Sequence, residues 1–373
     1  MNFCRKCVIP DTRPGVKINE EGVCLACVNH GKRPDVDWNK RKLEFKQLVA
    51  RAKKRSTGYD CLVPVSGGKD STWQVLKCLE YGLNPLTVTT VPALRTQLGW
   101  KNLNNLIRLG VDHIDYQVNP KVESKFVYQA FVKSGSAGLP MHMAMYRMSL
   151  NIGVKFRIPF ILWGENSSVE YGSAEKGIAG HKMSGAWLRK YGVSHDTDYK
   201  DWVSKKLTAR ELTPYFGPTD KEMDKQGIEA VFLGYYFPWD VQNSLKAARA
   251  HGFQVKEDGP KIGYYNYVDL DDDIMSVHHY LKWYKFGFTR AFDNVSLEIR
   301  NQRLTRAKAI NILRKMGDDR PDEDIKHFCD FVHITEKQFD QICEKFRNKD
   351  IWYRDKGTWK IKDFLTSDWR WKK

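Results

Sequence analysis

From residue 61 to 237, short apolar runs alternate with stretches in which apolar residues return every three or four positions. CLVPV (61–65), LTVTTV (86–91), HIDYQV (113–118), PFILWG (159–164) and AVFLGYYF (230–237) read as strands, and helical periodicity fills 71–81, 99–109, 121–133 and 141–153. Short apolar strands alternating with helices predict an α/β fold: a doubly wound, parallel five-stranded sheet covered on both faces. Ligands of such sheets bind beyond the carboxyl ends of the strands, where the strand order reverses. Ahead of the sheet, Trp38, Leu43, Phe45, Leu48 and Val49 recur at helical spacing among basic residues, which predicts a connecting helix within 35–58. Residues 173–225 are irregular and read as an insertion or lid in a domain spanning 59–265. Residues 266–373 read as a charged helical region, where Thr335 three positions before Gln338 gives a capping box.

Composition narrows the class. A chain of 373 residues with 42% hydrophobic and 28% charged residues can build a sizeable core. Its net charge of +16 favours anionic partners, with nucleic acid, nucleotide phosphates and anionic sugars all candidates. The N-terminal residues carry charges where a secretory signal would be apolar, and no apolar run approaches the length of a membrane span. A cytoplasmic location is therefore expected, and the eight cysteines read as thiols or metal ligands before disulfides.

Four of those cysteines fall in residues 1–34. CRKC and CLAC place Cys4, Cys7, Cys24 and Cys27 as two C-x2-C pairs, a spacing that wraps two thiolates of each turn around one ion. A structural Zn2+ is the expected occupant of this closed set, with an iron-sulfur cluster as the alternative. Cys61 and Cys78, in a strand and on a helix face, and Cys329 and Cys343 on C-terminal helices read as buried, inert thiols.

The run VSGGKDST (65–72) links the first strand to a helix. Gly67 and Gly68 permit a sharp turn and close backbone approach, and the amides that open the following helix point at an anion. Ser66, Ser71 and Thr72 add hydroxyl donors, and Val65 leads in. A Walker A loop is excluded, because Lys69 is followed by Asp70 and not by Ser or Thr.

The pattern S-G-G-x-D-S resembles the signature of the PP-loop ATP pyrophosphatases, the adenine nucleotide alpha hydrolase-like fold. That resemblance implies cleavage of ATP between the α and β phosphates, transfer of AMP to a substrate oxygen and a loop that holds pyrophosphate. Asp70 is then a natural Mg2+ ligand. Glu165, at the end of a fourth strand placed beside the first, is expected as the second magnesium-site carboxylate, with a capping or surface role as the alternative. Gly164 is expected to approach ribose closely, and Thr89, Thr90 and Val91, at the end of strand two, to border the adenine. Lys69 either meets a phosphate as a point charge or points to solvent. The expected catalytic set is Asp70, Glu165 and Lys69.

Over nearly the full length, FCRKCVIPDTRPGVKINEEGVCLAC, VSGGKDST, GWKNLNNLIRLG, LWGEN, DLDDDIMSVHHYLKWYKFGFTR and EIRNQRLTRAKAI together resemble the N-acetyl sugar amidotransferases of bacterial O-antigen and nonulosonic acid biosynthesis. The resemblance implies that a nucleotide-linked N-acetyl sugar is adenylated on its amide oxygen and attacked by ammonia to give an acetamidino group. It also implies a separate glutaminase related to that of imidazole glycerol phosphate synthase, with a cyclase-like companion; no cysteine here sits in a recognisable glutaminase setting. For the acceptor, Asn166, Asp271, Asp272, Asp273, His278, His279, Lys282, Lys285 and Arg290 are the candidates, the acids for hydroxyls or ammonium and the cations for phosphates. The other reading of this stretch is an acidic helix N-terminus followed by a solvated face. A tRNA-modifying PP-loop enzyme is the rival function. It would require further catalytic cysteines near the ATP, so nucleic acid is not the expected partner.

Overall fold

The computed structural model describes residues 1–32, 36–164, 180–318 and 320–371. The sheet is built from β1 (Cys61–Pro64), β2 (Pro85–Thr90), β3 (Asp112–Tyr116), β4 (Phe160–Trp163) and β5 (Glu229–Phe232) in the order β3-β2-β1-β4-β5. All four ladders are parallel. The order reverses across β1, which lies between β2 and β4, so the crevice for a ligand opens after β1.

Both faces of the sheet are covered, as near-continuous apolar strands require. Cys61, Val63 and Val65 face one layer with Phe45, Leu48, Val49 and Ala52 of α2 (Trp38–Arg55), whereas Leu62 faces the other with Leu150 and Ile152 of α6 (Leu139–Lys155). In chain order α1 (Leu25–Gly31) precedes α2, and α3 (Lys69–Glu80), α4 (Gln97–Ile107) and α5 (Pro120–Ser134) come between α2 and α6. Leu43, expected on the buried stripe of α2, is 56% exposed and lies outside it.

The fifth strand is shorter than its apolar run. AVFLGYYF leaves the strand at Phe232, level with Trp163, and Gly234 N–H then donates to Gly164 O (3.1 Å). Leu233–Tyr236 coils into a single helical turn that packs Leu233 and Tyr236 against the cluster containing Phe45. The outer edge of β5 is paired in part by residues 181–183: Met183 N–H donates to Ala230 O (2.9 Å), and Phe232 N–H donates to His181 O (2.9 Å).

Trp202, Leu207, Leu212 and Tyr215 of the expected insertion pack on Phe126 of α5 and on Leu139 and Met143 of α6. The start of that insertion, 173–179, lies outside the described residues.

The two ends of the chain form one body. Cys4, Cys7, Val8 and Ile9 share a core with Phe288, Phe292, Leu313, Phe339 and Trp352. The C-terminal part is helical through Lys345, with the expected capping box at Thr335 and Gln338, and then adds an antiparallel hairpin, Trp352–Asp355 with Thr358–Ile361. Among the described residues, no helix is long and apolar enough to cross a membrane.

Candidate functional site

The turn after β1 is shaped by its glycines. Gly67 has φ +81°, and a Cβ there would sit 2.4 Å from Leu103 N and 2.6 Å from its Cα, so only glycine lets the loop rest against α4. Gly68 caps α3 without a side-chain hydrogen bond. Ser71 and Thr72 both donate their hydroxyls to Gly68 O at 3.0 Å, and Gly68 N–H donates to Ser66 Oγ at 3.3 Å. The first amides of a helix have no intrahelical acceptor, so the opening of α3 presents an anion site.

Lys69 is 5% exposed and does not reach solvent; its Nζ lies 2.5 Å from Asp70 Oδ2 and faces the ring of Tyr267 at 5.9 Å. Trp239 Nε1 donates to Asp70 Oδ1 at 3.1 Å. Both carboxylate oxygens of Asp70 therefore meet donors. Glu165 and Asn166 lie outside the described residues.

A cleft of about 260 Å³ opens in front of this turn. Ser66 to Ser71 and Gly99 form one wall; Tyr265, Tyr267, Asp269, Asp271, Arg290 and Asn294 contribute the other. The second wall is stitched to the segment that joins β2 to α4. Thr96 N–H donates to Asp271 O (3.1 Å), the Thr96 hydroxyl donates to Leu270 O, and Asp273 N–H donates to Leu94 O (3.2 Å). Gly99 makes this pairing possible, because a Cβ there would lie 2.5 Å from Asp271 Cα.

The acceptor candidates separate on this frame. Asp271 and Arg290 line the cleft. Asp272 instead caps the helix Asp273–Phe286 through Ile274 N–H (3.0 Å) and is 1% exposed, with Oδ2 left without a partner. Asp273 pairs with Lys261 and with His327 (2.8 Å); Asp273, Asp324 and His327 converge, and the Lys261 ammonium is the cation between the two acids. Lys282 pairs with Asp293 (2.9 Å), and Lys285 donates to Ser134 O (2.8 Å) at the end of α5. His278 Nδ1 lies 3.4 Å from Ser136 Oγ, and His279 Nε2 lies 3.5 Å from Asp269 Oδ2.

The sequence pattern did not single out Asp269, Asn294, Trp239, Tyr265 or Tyr267. Asp269 has a left-handed backbone (φ 54°) and accepts from Arg290 Nε at 3.2 Å. Non-glycine residues in that region persist where their surroundings over-determine them. The aromatic run YYNY just ahead of DLDDD was the available signal, since aromatic side chains wall many small-molecule sites. Burial works to raise the Asp269 carboxyl, yet Arg290, His279 and Lys282 hold it below the usual range. Burial raises Asp271 to about 6, and the charge of Asp269 adds to the effect. The His279 ring is pushed down to about 3 by burial and by the cations Lys282 and Arg290.

Thr89, Thr90, Val91 and Gly164 do not line this cleft. Thr89 donates its hydroxyl to Val65 O at 2.5 Å, which ties β2 to the strand that leads into the loop. A Cβ on Gly164 would fall 2.4 Å from Gln74 Nε2, so the close approach there is to the α3 side chain.

The four N-terminal cysteines are buried and their sulfurs lie within 4.8 Å of one another. Cys7 and Cys24 Sγ are 3.7 Å apart, and Cys4 and Cys27 Sγ are 4.0 Å apart. A tetrahedron of sulfurs about Zn2+ has edges of roughly 3.8 Å. Cys4 Sγ also accepts N–H from Cys7 (3.4 Å) and Cys24 (3.2 Å), which suits a thiolate. Cys4, Cys7, Cys24 and Cys27 thus fit a zinc ion.

Residues 262–365 match the family model for the LPS biosynthesis protein WbpG-like, C-terminal domain. No curated protein matches the chain. Among solved structures, the NMN synthetase from Francisella tularensis matches with 12% sequence identity and a TM-score of 0.27, over 58% of this chain and 93% of that one, a likeness too slight to carry argument. The segment 262–365 contains Tyr265, Tyr267, Asp269, Asp271, Arg290 and Asn294 of the cleft wall. The matched segment thus supplies one side of the cleft, and the S-G-G-x-D-S turn after β1 of the parallel sheet supplies the other.

Proposed function

We propose that the protein is an ATP-dependent, AMP-forming amidotransferase of lipopolysaccharide or related surface-glycan biosynthesis, acting on the N-acetyl group of a nucleotide-linked sugar. The observation that carries this reading is the shared cleft: the S-G-G-x-D-S turn faces the segment that matches the WbpG-like family.

The chemistry accounts for both walls. An amide oxygen leaves poorly, so ammonia cannot displace it until the oxygen carries AMP. The amide oxygen attacks the α-phosphorus of ATP, pyrophosphate departs into the turn opening α3, and ammonia then displaces AMP. The uncapped amides of α3 and the Lys69 ammonium stabilise charge on the departing pyrophosphate, a contribution made by groups already in place. Mg2+, held by Asp70 with Glu165 as the proposed second carboxylate, would add charge neutralisation at the phosphates. Arg290 meets the phosphates of the sugar nucleotide on the other wall. Ammonia is supplied by a separate glutaminase of the imidazole glycerol phosphate synthase type with its cyclase-like companion.

The tRNA-modifying alternative needs an accessible sulfur carrier. Cys61 and Cys78 are fully buried with sulfurs 3.8 Å apart, and Cys329 and Cys343 are buried in the C-terminal core. The test is incubation with ATP, Mg2+, ammonium and a panel of UDP- and CMP-linked N-acetyl sugars. Mass spectrometry should show AMP together with a sugar lighter by about one dalton and carrying a new positive charge, since an amidine is more basic than Lys. AMP without such a product refutes the sugar reading. Asp70→Asn should abolish AMP formation while leaving the fold intact; full activity would remove Asp70 from the metal site.

A further inference from the structure

The acidic groups around the cleft are nearly all committed to partners. Asp70 holds Lys69 and the Trp239 indole. Asp269 holds Arg290, and Asp293 behind it holds Lys282 and Arg13. Asp272 caps a helix, and Asp273 holds Lys261 and His327. Asp271 is the exception. It lines the same cleft as the turn, and among the described residues its carboxylate makes no side-chain hydrogen bond or ion pair, accepting only from its own backbone N–H.

Its position is fixed even though its carboxylate is not engaged. Its carbonyl accepts from Thr96 N–H, and its Cα and Cβ occupy the space left by the missing side chain of Gly99. The charged groups facing it are Arg95, Lys261, Asp269 and Asp272. Both cations are taken up elsewhere: Arg95 forks onto Asp115 with two contacts of 2.9 Å, and Lys261 sits between Asp273 and Asp324. Burial holds the carboxyl near neutrality, at about 6, where a group both accepts and releases protons readily.

We propose that Asp271 is the catalytic general base that takes a proton from the ammonia nitrogen as it adds to the adenylated amide. The proposal rests on the amidotransferase reading. Ammonia forms a C–N bond to the imidate carbon, which leaves a positive charge on the new nitrogen. Until a proton is removed, ammonia is the better leaving group and the adduct reverts. Asp271 accepts that proton; the nitrogen lone pair then forms the C–N double bond, the C–O bond breaks, and its electron pair leaves on AMP. The amide, ammonia and ATP become an amidinium, AMP and pyrophosphate, and the proton on Asp271 passes to water.

The test separates the two halves of the reaction in Asp271→Asn and, as a second base-free variant, Asp271→Ser. Each is given ATP, Mg2+ and the sugar panel, first without ammonium to read the burst of pyrophosphate and then with ammonium to read the amidine. The expected result is a burst within about threefold of the wild type with amidine formation down by about 100-fold, the scale of a lost general base. Hydroxylamine, whose adduct loses its proton more easily, should narrow that gap. Loss of both halves together, or of neither, in both variants overturns the assignment while leaving the amidotransferase reading standing. Absence of any sugar-dependent burst in the wild type overturns that reading, and the role of Asp271 with it.

Discussion

Replacing Asp293 should weaken the whole N- and C-terminal body. Its side chain is fully buried, and it receives Arg13 Nε at 2.7 Å, Lys282 Nζ at 2.9 Å and Arg290 Nη1 at 3.8 Å. The three cations are themselves only 15%, 16% and 17% exposed. Asp293→Ala leaves them together in the interior, with Asp269 as the remaining carboxylate, on Arg290. Removing one member of a buried ion cluster costs roughly 3–5 kcal/mol, because the partners keep their desolvation penalty and lose their counter-charge. Urea unfolding of the zinc-loaded protein at pH 7 measures this directly. Burial works to raise the Asp293 carboxyl, but Lys282, Arg13 and Arg290 hold it below the ordinary range. A carboxyl depressed on folding contributes stability that is complete above its unfolded value near 4 and is lost as the pH falls from there towards the folded value. The variant should therefore lose stability at pH 7 and show a flatter decline below pH of about 4. A variant within about 1 kcal/mol of the wild type with the same acid limb would refute the ion-cluster account.

Two further outcomes follow from the geometry. Gly67→Ala forces a left-handed backbone that costs about 1–2 kcal/mol and drives a Cβ into the backbone of Leu103, so the turn must shift. ATP binding by calorimetry should weaken, and unchanged affinity would detach the turn from the nucleotide. Cys4→Ser should lower zinc content and, because the cysteines share a core with Phe288, Phe292 and Trp352, expose the C-terminal helices to protease. Cleavage confined to the first 32 residues would contradict that shared core.

The ties between the N-terminal module and the cleft wall give these outcomes a common cause. Arg306 donates to Cys7 O (2.9 Å), Thr12 to Phe286 O (2.6 Å), and Arg13 to Asp293, which in turn faces Arg290 in the cleft. The Cys4 module is thus tied through Arg13 and Asp293 to a residue of the cleft wall.

By itself the sequence determined the α/β alternation, the parallel sheet with the fourth strand beside the first, the two cysteine turns and the loop after β1. Each is written in consecutive residues: strand and helix periods, C-x2-C spacing, and glycines followed by hydroxyls and an acid. The tertiary structure alone decided which members of the DLDDD run face the loop. Three adjacent acids have identical chemistry, and their directions are set by pairing residues 94–96 with 270–273, which are about 175 positions apart in the chain. That pairing turns Asp271 into the cleft, Asp272 into a cap and Asp273 towards Lys261. Distance in sequence also hid Trp239, whose partner Asp70 lies 169 positions away, and Asp269 meets Arg290, 21 positions on, only once the helix after Thr289 has packed. The end of β5 was decided in the same way, since Leu233 and Tyr236 of the same apolar run coil into a helical turn to pack against the cluster containing Phe45.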